Sequence, residues 1–150
     1  MKARDVMKPA TVLHPDDPAE DLVRAFTRPS LRVVAMVSPE GRLLGLVTDE
    51  DLLYALFPPY VLDDPVLARL LERDAASELL RRLRGKRVKN VINVRRPHQL
   101  PVGADDTLVE VTSAIVRAGD PAVPVVENDM LAGVISLDDL LPALLGGHLS

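Results

Sequence analysis

Two stretches of the chain, residues 45–53 and residues 133–141, carry the same order of apolar and polar positions. In each stretch a glycine opens a short apolar run and a hydroxyl residue ends it. An aspartate three positions later lies in a second apolar run with helical spacing. The pattern predicts a strand followed by a helix at both places. A pattern that returns at such a distance indicates an internal repeat.

The first half of the chain predicts five elements in the order strand, helix, strand, strand, helix. Each strand is a short apolar run, and the turn-forming residues between the last two strands predict a hairpin. The two helices are predicted because their apolar positions recur at helical spacing. The five segments are residues 11–13, 18–28, 33–37, 43–47 and 49–57.

In each half of the chain, one pair of aspartates precedes the first helix. Asp17 is expected to be an N-cap, with Pro18 as the first helical residue, where its missing N–H is not needed. The pair at residues 105–106 is interpreted in the same way. These aspartates are therefore expected to be helix caps rather than catalytic carboxylates.

The second half follows the same order at a nearly constant distance. Residues 16–19 match residues 105–108 at an offset of 89, and the offset becomes 88 after the hairpin, whose turn is one residue shorter. A deletion confined to a turn is where a structural repeat tolerates it. The predicted organisation is one repeat at residues 1–57, a helical insert at residues 58–89 and a second repeat at residues 90–150.

The insert differs from both repeats in its pattern of apolar and charged residues. Its apolar residues recur at helical spacing with charges between them, which predicts one or two amphipathic helices after residues 63–65. Residues 81–89, at its end, are locally the most basic part of the chain. Such a run either contacts nucleic acid or an acidic partner, or forms a solvated helix end whose cations suit the dipole. We expect the insert to pack on the module or on a second copy of it.

Composition limits the possible functions. Apolar residues make up 47% of the chain and aromatic residues only 3%, so the core is expected to be aliphatic. The net charge of −4 gives no indication of nucleic-acid binding, and the absence of cysteine excludes disulfides and thiol chemistry. No apolar run approaches the ~18 residues that a membrane span requires. A soluble, cytoplasmic protein is expected.

Candidate catalytic and metal-binding residues are few. His14, His98 and His148 are scattered without ligand spacing and are expected to lie on the surface. No serine lies in a nucleophile elbow, and no glycine-rich phosphate loop is present. The sequence therefore predicts no enzymatic activity, no metal site and no required cofactor.

The repeated stretches resemble those of the tandem CBS-domain pair, also called a Bateman module. The resemblance covers nearly all of the chain except the insert. The first copy departs from it with Ala35 where the family usually has proline, and the second with Ser136 for the commoner threonine. The resemblance is carried by residues 45–52, 124–126 and 133–140, and by Val6, Met7, Val91 and Ile92 ahead of the first strands.

The resemblance implies an α/β fold in which two repeats pack by their sheets about a pseudo-twofold axis. It also implies two clefts between the repeats and the pairing of modules into disc-like homodimers. Such clefts usually bind adenine nucleotides or related adenosyl compounds. AMP, ADP, ATP or S-adenosylmethionine is therefore the regulatory ligand that the resemblance implies.

By the same resemblance, Thr48 and Asp51 serve one cleft, and Ser136 and Asp139 serve the other. In each pair the hydroxyl contacts phosphate and the aspartate binds the ribose hydroxyls. The assignment also has a physical basis, because a strand-to-helix junction offers unpaired N–H groups and the positive end of the helix dipole. The alternative is a capping box, in which the same residues only satisfy helix-end donors.

The strands beside each junction are expected to supply an apolar slot for adenine. The expected slot residues are Thr11, Val12, Ala35 and Met36 beside one junction, and Leu100, Pro101, Val123 and Pro124 beside the other.

The first junction carries three consecutive acidic residues, at positions 49–51, which repel a polyphosphate unless cations approach. In the second junction Leu137 replaces Asp49, so this site is expected to be the better nucleotide site. The candidate cations are Lys8, Arg32, Arg95 and Arg96.

These observations predict a non-enzymatic regulatory module that senses an adenosyl ligand and signals to a separate effector protein. Two alternatives remain open. One is a structural or protein-interaction module with vacant clefts, and the other is a nucleic-acid or anion binder that uses residues 81–89.

Overall fold

The computed structural model describes residues 1–57, 59–70, 75–92 and 101–146. The described helices are α1 (Ala3–Val6), α2 (Ala19–Phe26), α3 (Asp49–Leu56), α4 (Pro59–Leu62), α5 (Pro65–Leu70), α6 (Ala75–Leu83), α7 (Val88–Val91), α8 (Leu108–Ala118) and α9 (Leu137–Leu145). The described strands are β1 (Val12–Leu13), β2 (Val33–Val37), β3 (Leu43–Thr48), β4 (Val102–Gly103), β5 (Ala122–Glu127) and β6 (Met130–Ser136).

The strands form two three-stranded sheets, β1-β2-β3 and β4-β5-β6. In each sheet the first pair is parallel and the second pair is an antiparallel hairpin. The registers coincide, because Val33 pairs with Thr48 in the first hairpin and Ala122 pairs with Ser136 in the second. The predicted α/β fold with two strand-helix-strand-strand-helix repeats is confirmed.

The two hairpin turns explain the change of offset. In the second hairpin Glu127 pairs with Met130, which leaves a two-residue turn. Its residues, Asn128 and Asp129, have φ of 53° and 64°, as a type I′ turn requires. The first turn is longer and reaches positive φ at Gly41.

Each repeat has its own apolar core, and a third cluster joins the two. Ala35, Val37 and Leu46 are buried in this third cluster, and Leu131 of the second repeat packs against them. The repeats therefore pack through their sheets, as predicted. The largest fully buried side chains of the two cores are Leu22, Val34, Met36, Val47 and Val88 in the first, and Val111, Val123, Val125, Ile135 and Leu140 in the second.

The short helices ahead of each first strand are exchanged between the repeats. Helix α1 lies on the second repeat, where Ala3 N–H donates to the Asp106 carbonyl at 2.8 Å. Helix α7 lies on the first repeat, where Val88 N–H donates to the Asp17 carbonyl at 2.9 Å. Ala3 and Val88 are buried in the core of the repeat that receives them. The chain thus crosses between the repeats twice.

Equivalent ion pairs hold both exchanged segments. Arg4 Nη2 lies 2.9 Å from Asp105 Oδ1, and Lys89 Nζ lies 2.7 Å from Asp16 Oδ1. The hydrogen bond from Arg4 lowers the pKa of Asp105, and the one from Lys89 lowers the pKa of Asp16. The first aspartate of each predicted capping pair is therefore an anchor for the exchanged segment.

The prediction that Asp17 caps the first helix is wrong. The N-cap is Pro18, and α2 begins at Ala19. The Asp17 carboxylate instead accepts the His14 N–H at 2.8 Å and closes the turn between β1 and α2. Its main-chain carbonyl accepts the Val88 N–H of the exchanged segment. Asp17 therefore serves the turn and the crossing segment rather than the helix N-terminus.

The same correction applies to the second aspartate pair. The Asp106 carboxylate accepts the Gly103 N–H at 2.8 Å, which closes the equivalent turn. Helix α8 is capped by Thr107, whose hydroxyl accepts the Glu110 N–H at 3.2 Å.

The described part of the insert is helical, as predicted, although α4 precedes the predicted start at residues 63–65. Asp64 Oδ1 accepts the Val66 N–H at 2.9 Å and so starts α5 at the predicted place. Leu83 of α6 is only 5% exposed, and α6 contacts α2 and α3. The end of the insert therefore packs on the first repeat. Within the described ranges, no helix combines the length and apolarity that crossing a bilayer requires.

Candidate ligand-binding clefts

The first strand-to-helix junction forms a reciprocal capping box. The Thr48 hydroxyl accepts the Asp51 N–H at 3.2 Å, and the Thr48 N–H donates to the Asp51 carboxylate at 2.8 Å. Thr48 is 4% exposed. The capping role considered from the sequence is therefore realised at this junction.

The second junction differs in how it uses its hydroxyl. Ser136 N–H and Ser136 Oγ both donate to the same carboxylate oxygen, Asp139 Oδ2, at 3.2 and 2.9 Å. The other oxygen, Asp139 Oδ1, lies 2.5 Å from Lys8 Nζ. One carboxylate oxygen thus orients the side chain, while the other is paired with a flexible cation.

A cavity of about 370 Å³ lies at this junction, and we call it the second cleft. Both repeats line it, which places it between them. The first repeat contributes Thr11 and Arg32, the second contributes Ser136, Asp138 and Asp139, and the exchanged N-terminal segment contributes Lys8. Leu31, Val33, Ala122 and Val134 add apolar side chains to its walls.

The charges of Lys8 and Asp139 stabilise each other. The Asp139 side chain is 8% exposed, and this burial alone would raise its pKa. The Lys8 ammonium and the two Ser136 donors outweigh burial and lower the pKa of Asp139 below its usual value. The Asp139 carboxylate raises the pKa of Lys8 in turn. Both groups are therefore charged at neutral pH.

The backbone holds Lys8 beside this carboxylate. Lys8 and Val134 exchange two N–H···O hydrogen bonds of 2.9 Å. A Cβ on Gly133 would lie 2.8 Å from the Lys8 carbonyl oxygen, closer than such contacts allow. The glycine that opens the second motif thus permits the exchanged N-terminal segment to approach the sheet.

The first cleft is a cavity of about 240 Å³ beside Thr48. Its lining includes the carboxylates of Asp49, Glu50 and Asp120. Among the described residues, Arg32 is the one cation in this lining, and its Nε lies 3.3 Å from Asp49 Oδ2. In its described lining the first cleft is therefore more acidic than the second, and its volume is smaller.

The structure places the described candidate cations at different clefts. Lys8, which the sequence analysis placed against the acidic first junction, lines the second cleft, and Arg32 lines both clefts. Arg95 and Arg96 lie outside the described residues.

The expected adenine-slot residues also separate. Thr11 lines the second cleft, and Val12 is an exposed residue of β1. Ala35, Met36 and Val123 are at most 1% exposed and belong to the apolar clusters, so their side chains line neither cleft. Pro101 and Pro124 line a separate groove of about 330 Å³ beside residues 42–45. Leu100 lies outside the described residues.

Apart from Arg32, sequence reasoning missed the cleft residues at the starts of β2 and β5. Residues 30–33 and residues 121–122 line the second cleft together with Ser136. The position of these residues could have been inferred from the hairpin register, because antiparallel pairing brings the start of one strand beside the end of the next. The predicted hairpins therefore implied that both segments border the junctions.

The basic run at residues 81–89 is partly neutralised within the chain. Arg87 and Lys89 pair with Asp16 at 3.3 and 2.7 Å, and Arg81 pairs with Glu78 at 3.6 Å. Arg82 and Lys86 line a groove of about 350 Å³ beside the end of α3.

The histidines do not gather at either cleft. The expectation that His14 is a surface residue is wrong, because it is half-buried and its Nδ1 lies 2.8 Å from the Val37 carbonyl oxygen. His98 and His148 lie outside the described residues. Over the part of the chain that the structure describes, no group of histidine, aspartate and glutamate residues is suited to a metal ion.

Comparison with known proteins agrees with this architecture. The CBS domain family profile matches residues 3–58 and 88–146. A CBS domain-containing protein of unknown function from Kribbella flavida DSM 17836 is 28% identical, with a TM-score of 0.79 over 96% of this chain and 98% of that one. No curated protein matches the sequence.

Two more distant structures share the fold. CBSX2 of Arabidopsis thaliana, in complex with AMP, is 19% identical, with a TM-score of 0.68 over 97% of this chain and 96% of that one. The CBS domain pair of protein MJ0100, in complex with 5′-methylthioadenosine and S-adenosyl-L-methionine, is 16% identical. Its TM-score is 0.64 over 98% of this chain and 97% of that one.

The fold and the two junction clefts define a paired-repeat α/β module. The family match covers both repeats and most of the chain. The protein belongs to the CBS domain family and contains the domain as a tandem pair.

Proposed function

We propose that this protein is a non-enzymatic regulatory module that binds an adenosyl ligand in the second cleft and signals to a separate effector protein. The observation that carries the proposal is the environment of Asp139. Its Oδ2 is fixed by Ser136, and its Oδ1 is paired with the 69%-exposed side chain of Lys8 in a cavity between the repeats.

Asp139 is suited to a ribose. A carboxylate can accept two hydrogen bonds from a cis-diol, and the Ser136 donors hold this one in a fixed orientation. Lys8 is mostly exposed, so its ammonium can leave Oδ1 and follow the ligand. In this proposal the ribose replaces Lys8 on Asp139, and Lys8 turns to the ligand phosphate.

The phosphate would lie at the start of α9. Backbone N–H groups at a helix N-terminus and the positive end of its dipole favour an anion. Lys8 adds positive charge from the exchanged N-terminal segment, and Arg32 adds it from the first repeat. The adenosyl compounds bound by CBSX2 and by MJ0100 support this ligand class.

Signalling follows from the position of the cleft. Arg32 and Thr11 come from the first repeat, while Ser136 and Asp139 come from the second, to which Lys8 is also hydrogen-bonded, so a bound ligand bridges the two. A ligand shifts a conformational equilibrium by its differential affinity for the two states. The proposed output is a change in the relative position of the repeats that a partner protein detects.

Thermal unfolding with a panel of ATP, ADP, AMP, S-adenosylmethionine, NAD and cyclic di-AMP tests the proposal. A ligand at ~100 times its Kd should stabilise the native state by ~2.7 kcal/mol. Asp139→Asn should remove this shift, whereas Asp129→Asn in the β5–β6 turn should retain it. If no compound raises the melting temperature at millimolar concentration, the chain is instead a module for protein interaction.

A second candidate is anion or nucleic-acid binding through residues 81–89. It is supported by Arg82 and Lys86, which line the same groove. Binding of this kind should weaken steeply with salt. It should also be unchanged by Asp139→Asn, which separates it from the proposal above.

A further inference from the structure

Arg32 lies between the two clefts. Its side chain lines both cavities, together with Pro121 and Leu137. It is 59% exposed, and its Nε is paired with Asp49 at 3.3 Å on the side of the first cleft. The same guanidinium therefore borders two sites.

The pseudo-symmetry does not supply a second cation here. The Asp49 N–H donates to the Arg32 carbonyl at 2.9 Å, and the Leu137 N–H donates to the Pro121 carbonyl at 3.2 Å. These backbone contacts are equivalent, so Pro121 occupies the position of Arg32 and Leu137 that of Asp49. The arginine–aspartate pair exists in one repeat only.

The charges on the two sides are unequal. The first cleft contains Asp49, Glu50 and Asp120, with Arg32 as its one cation among the described residues. The second cleft contains Asp138 and Asp139, opposed by Lys8 and Arg32. Moving Arg32 toward the second cleft therefore makes that cleft favourable to anions and leaves the carboxylates of the first cleft without it.

We propose that Arg32 is shared between the clefts, so that an anionic ligand in one cleft weakens the binding of an anionic ligand in the other. This inference rests on the proposed function of the second cleft. A phosphate-bearing adenosyl ligand in the second cleft draws Arg32 away from Asp49. The first cleft then selects adenosyl ligands without net negative charge, because its carboxylates repel phosphate. Coupling between two sites is reciprocal, so an anion in the first cleft weakens anion binding in the second by the same factor.

The first test compares a dianion with its neutral analogue. Titration calorimetry with AMP should show about tenfold weaker binding to Arg32→Gln, the effect of losing one charge-assisted contact. Adenosine, which lacks the phosphate, should lose less than about twofold by the same argument. Arg28→Gln removes the same charge from the loop before Arg32, outside both linings, and should change neither affinity.

The second test concerns competition with Asp49. Asp49→Asn should tighten AMP binding about threefold, because Arg32 is released from a surface ion pair. Glu50→Gln removes the same charge from the same cleft without touching that pair, so it is the matched control and should have a smaller effect. The gain from Asp49→Asn should disappear when it is combined with Arg32→Gln.

The outcomes separate this inference from the proposed function. If no compound of the adenosyl panel binds the wild-type chain, both are overturned. The inference alone is overturned if AMP binds but Arg32→Gln leaves its affinity unchanged. It is also overturned if Asp49→Asn and Glu50→Gln change the AMP affinity equally. The same holds if Asp49→Asn still tightens AMP binding when it is combined with Arg32→Gln.

Discussion

The carboxylate of Asp139 can combine its structural role with the proposed binding role because its two oxygens have different partners. Ser136 occupies Oδ2, and Lys8 lies against Oδ1. A helix cap and a ligand site are therefore compatible in one side chain. At the first junction Thr48 and Asp51 form the reciprocal box instead, and Thr48 is buried.

The Lys8–Asp139 pair predicts a dependence of stability on pH. The folded-state pKa of Asp139 is lowered, so its contribution is fully present above the unfolded value of about 3.9. This contribution is lost as the pH falls through the folded pKa. Urea unfolding from pH 6 to pH 3 should show a smaller acid-induced loss for Asp139→Asn than for wild type. Equal losses would contradict the assigned pair.

Gly133 predicts a local steric effect. Gly133→Ala would place a Cβ against the Lys8 carbonyl oxygen, and overpacking of this kind costs about 1–3 kcal/mol in the free energy of unfolding. It should also displace Lys8 and weaken AMP binding. The control is Gly146→Ala, where the added Cβ meets no atom within 4 Å. Chemical denaturation of both variants measures the difference, and equal stabilities would contradict the close approach.

At the scale of elements, the insert is joined to the first repeat by the buried face of α6. Leu83→Ala should cost about 2–4 kcal/mol, the usual range for a buried leucine. Leu80 lies on the same helix and is 39% exposed, so Leu80→Ala should cost less. Urea denaturation compares the two variants. If both variants lower the free energy of unfolding equally, α6 does not pack on the first repeat through the face that carries Leu83.

Elements with a local signal were predictable from the sequence. The hairpins and the two junctions follow from apolar runs and turn residues, and the repeat fixed their correspondence. The caps at Asp17 and Asp106 were mispredicted because each carboxylate closes the local turn ahead of the helix instead of capping the helix. The placement of Lys8 was missed because it depends on where α1 crosses between the repeats.

The position of Arg32 between the two clefts was also beyond local reasoning. It depends on the packing of two sheets and on a proline at the equivalent position, Pro121. The sequence did identify Arg32 as a candidate cation. Its two-sided position requires the tertiary structure.

At the scale of the whole molecule, equivalent leucines suggest how two modules associate. Leu53 of α3 and Leu141 of α9 occupy corresponding positions and are 49% and 50% exposed. We propose that these helices form the interface of a homodimer. Exposed apolar residues on both pseudo-symmetric helices support this arrangement.

Light scattering after gel filtration tests the dimer. Leu53→Glu and Leu141→Glu should each give monomers, because a charge in an apolar interface is poorly tolerated. Val116→Glu is the control, since Val116 is 73% exposed on α8. A monomeric wild-type protein, or a dimer unaffected by both leucine changes, would contradict the proposal.

The central claim is that an adenosyl ligand occupies the second cleft and replaces Lys8 on Asp139. A crystal structure of the chain with AMP tests it most directly. The account predicts the ribose hydroxyls on Asp139, the phosphate at the start of α9, and the Lys8 ammonium turned from Asp139 to the phosphate. AMP bound elsewhere, or bound with the Lys8–Asp139 pair intact, would contradict it.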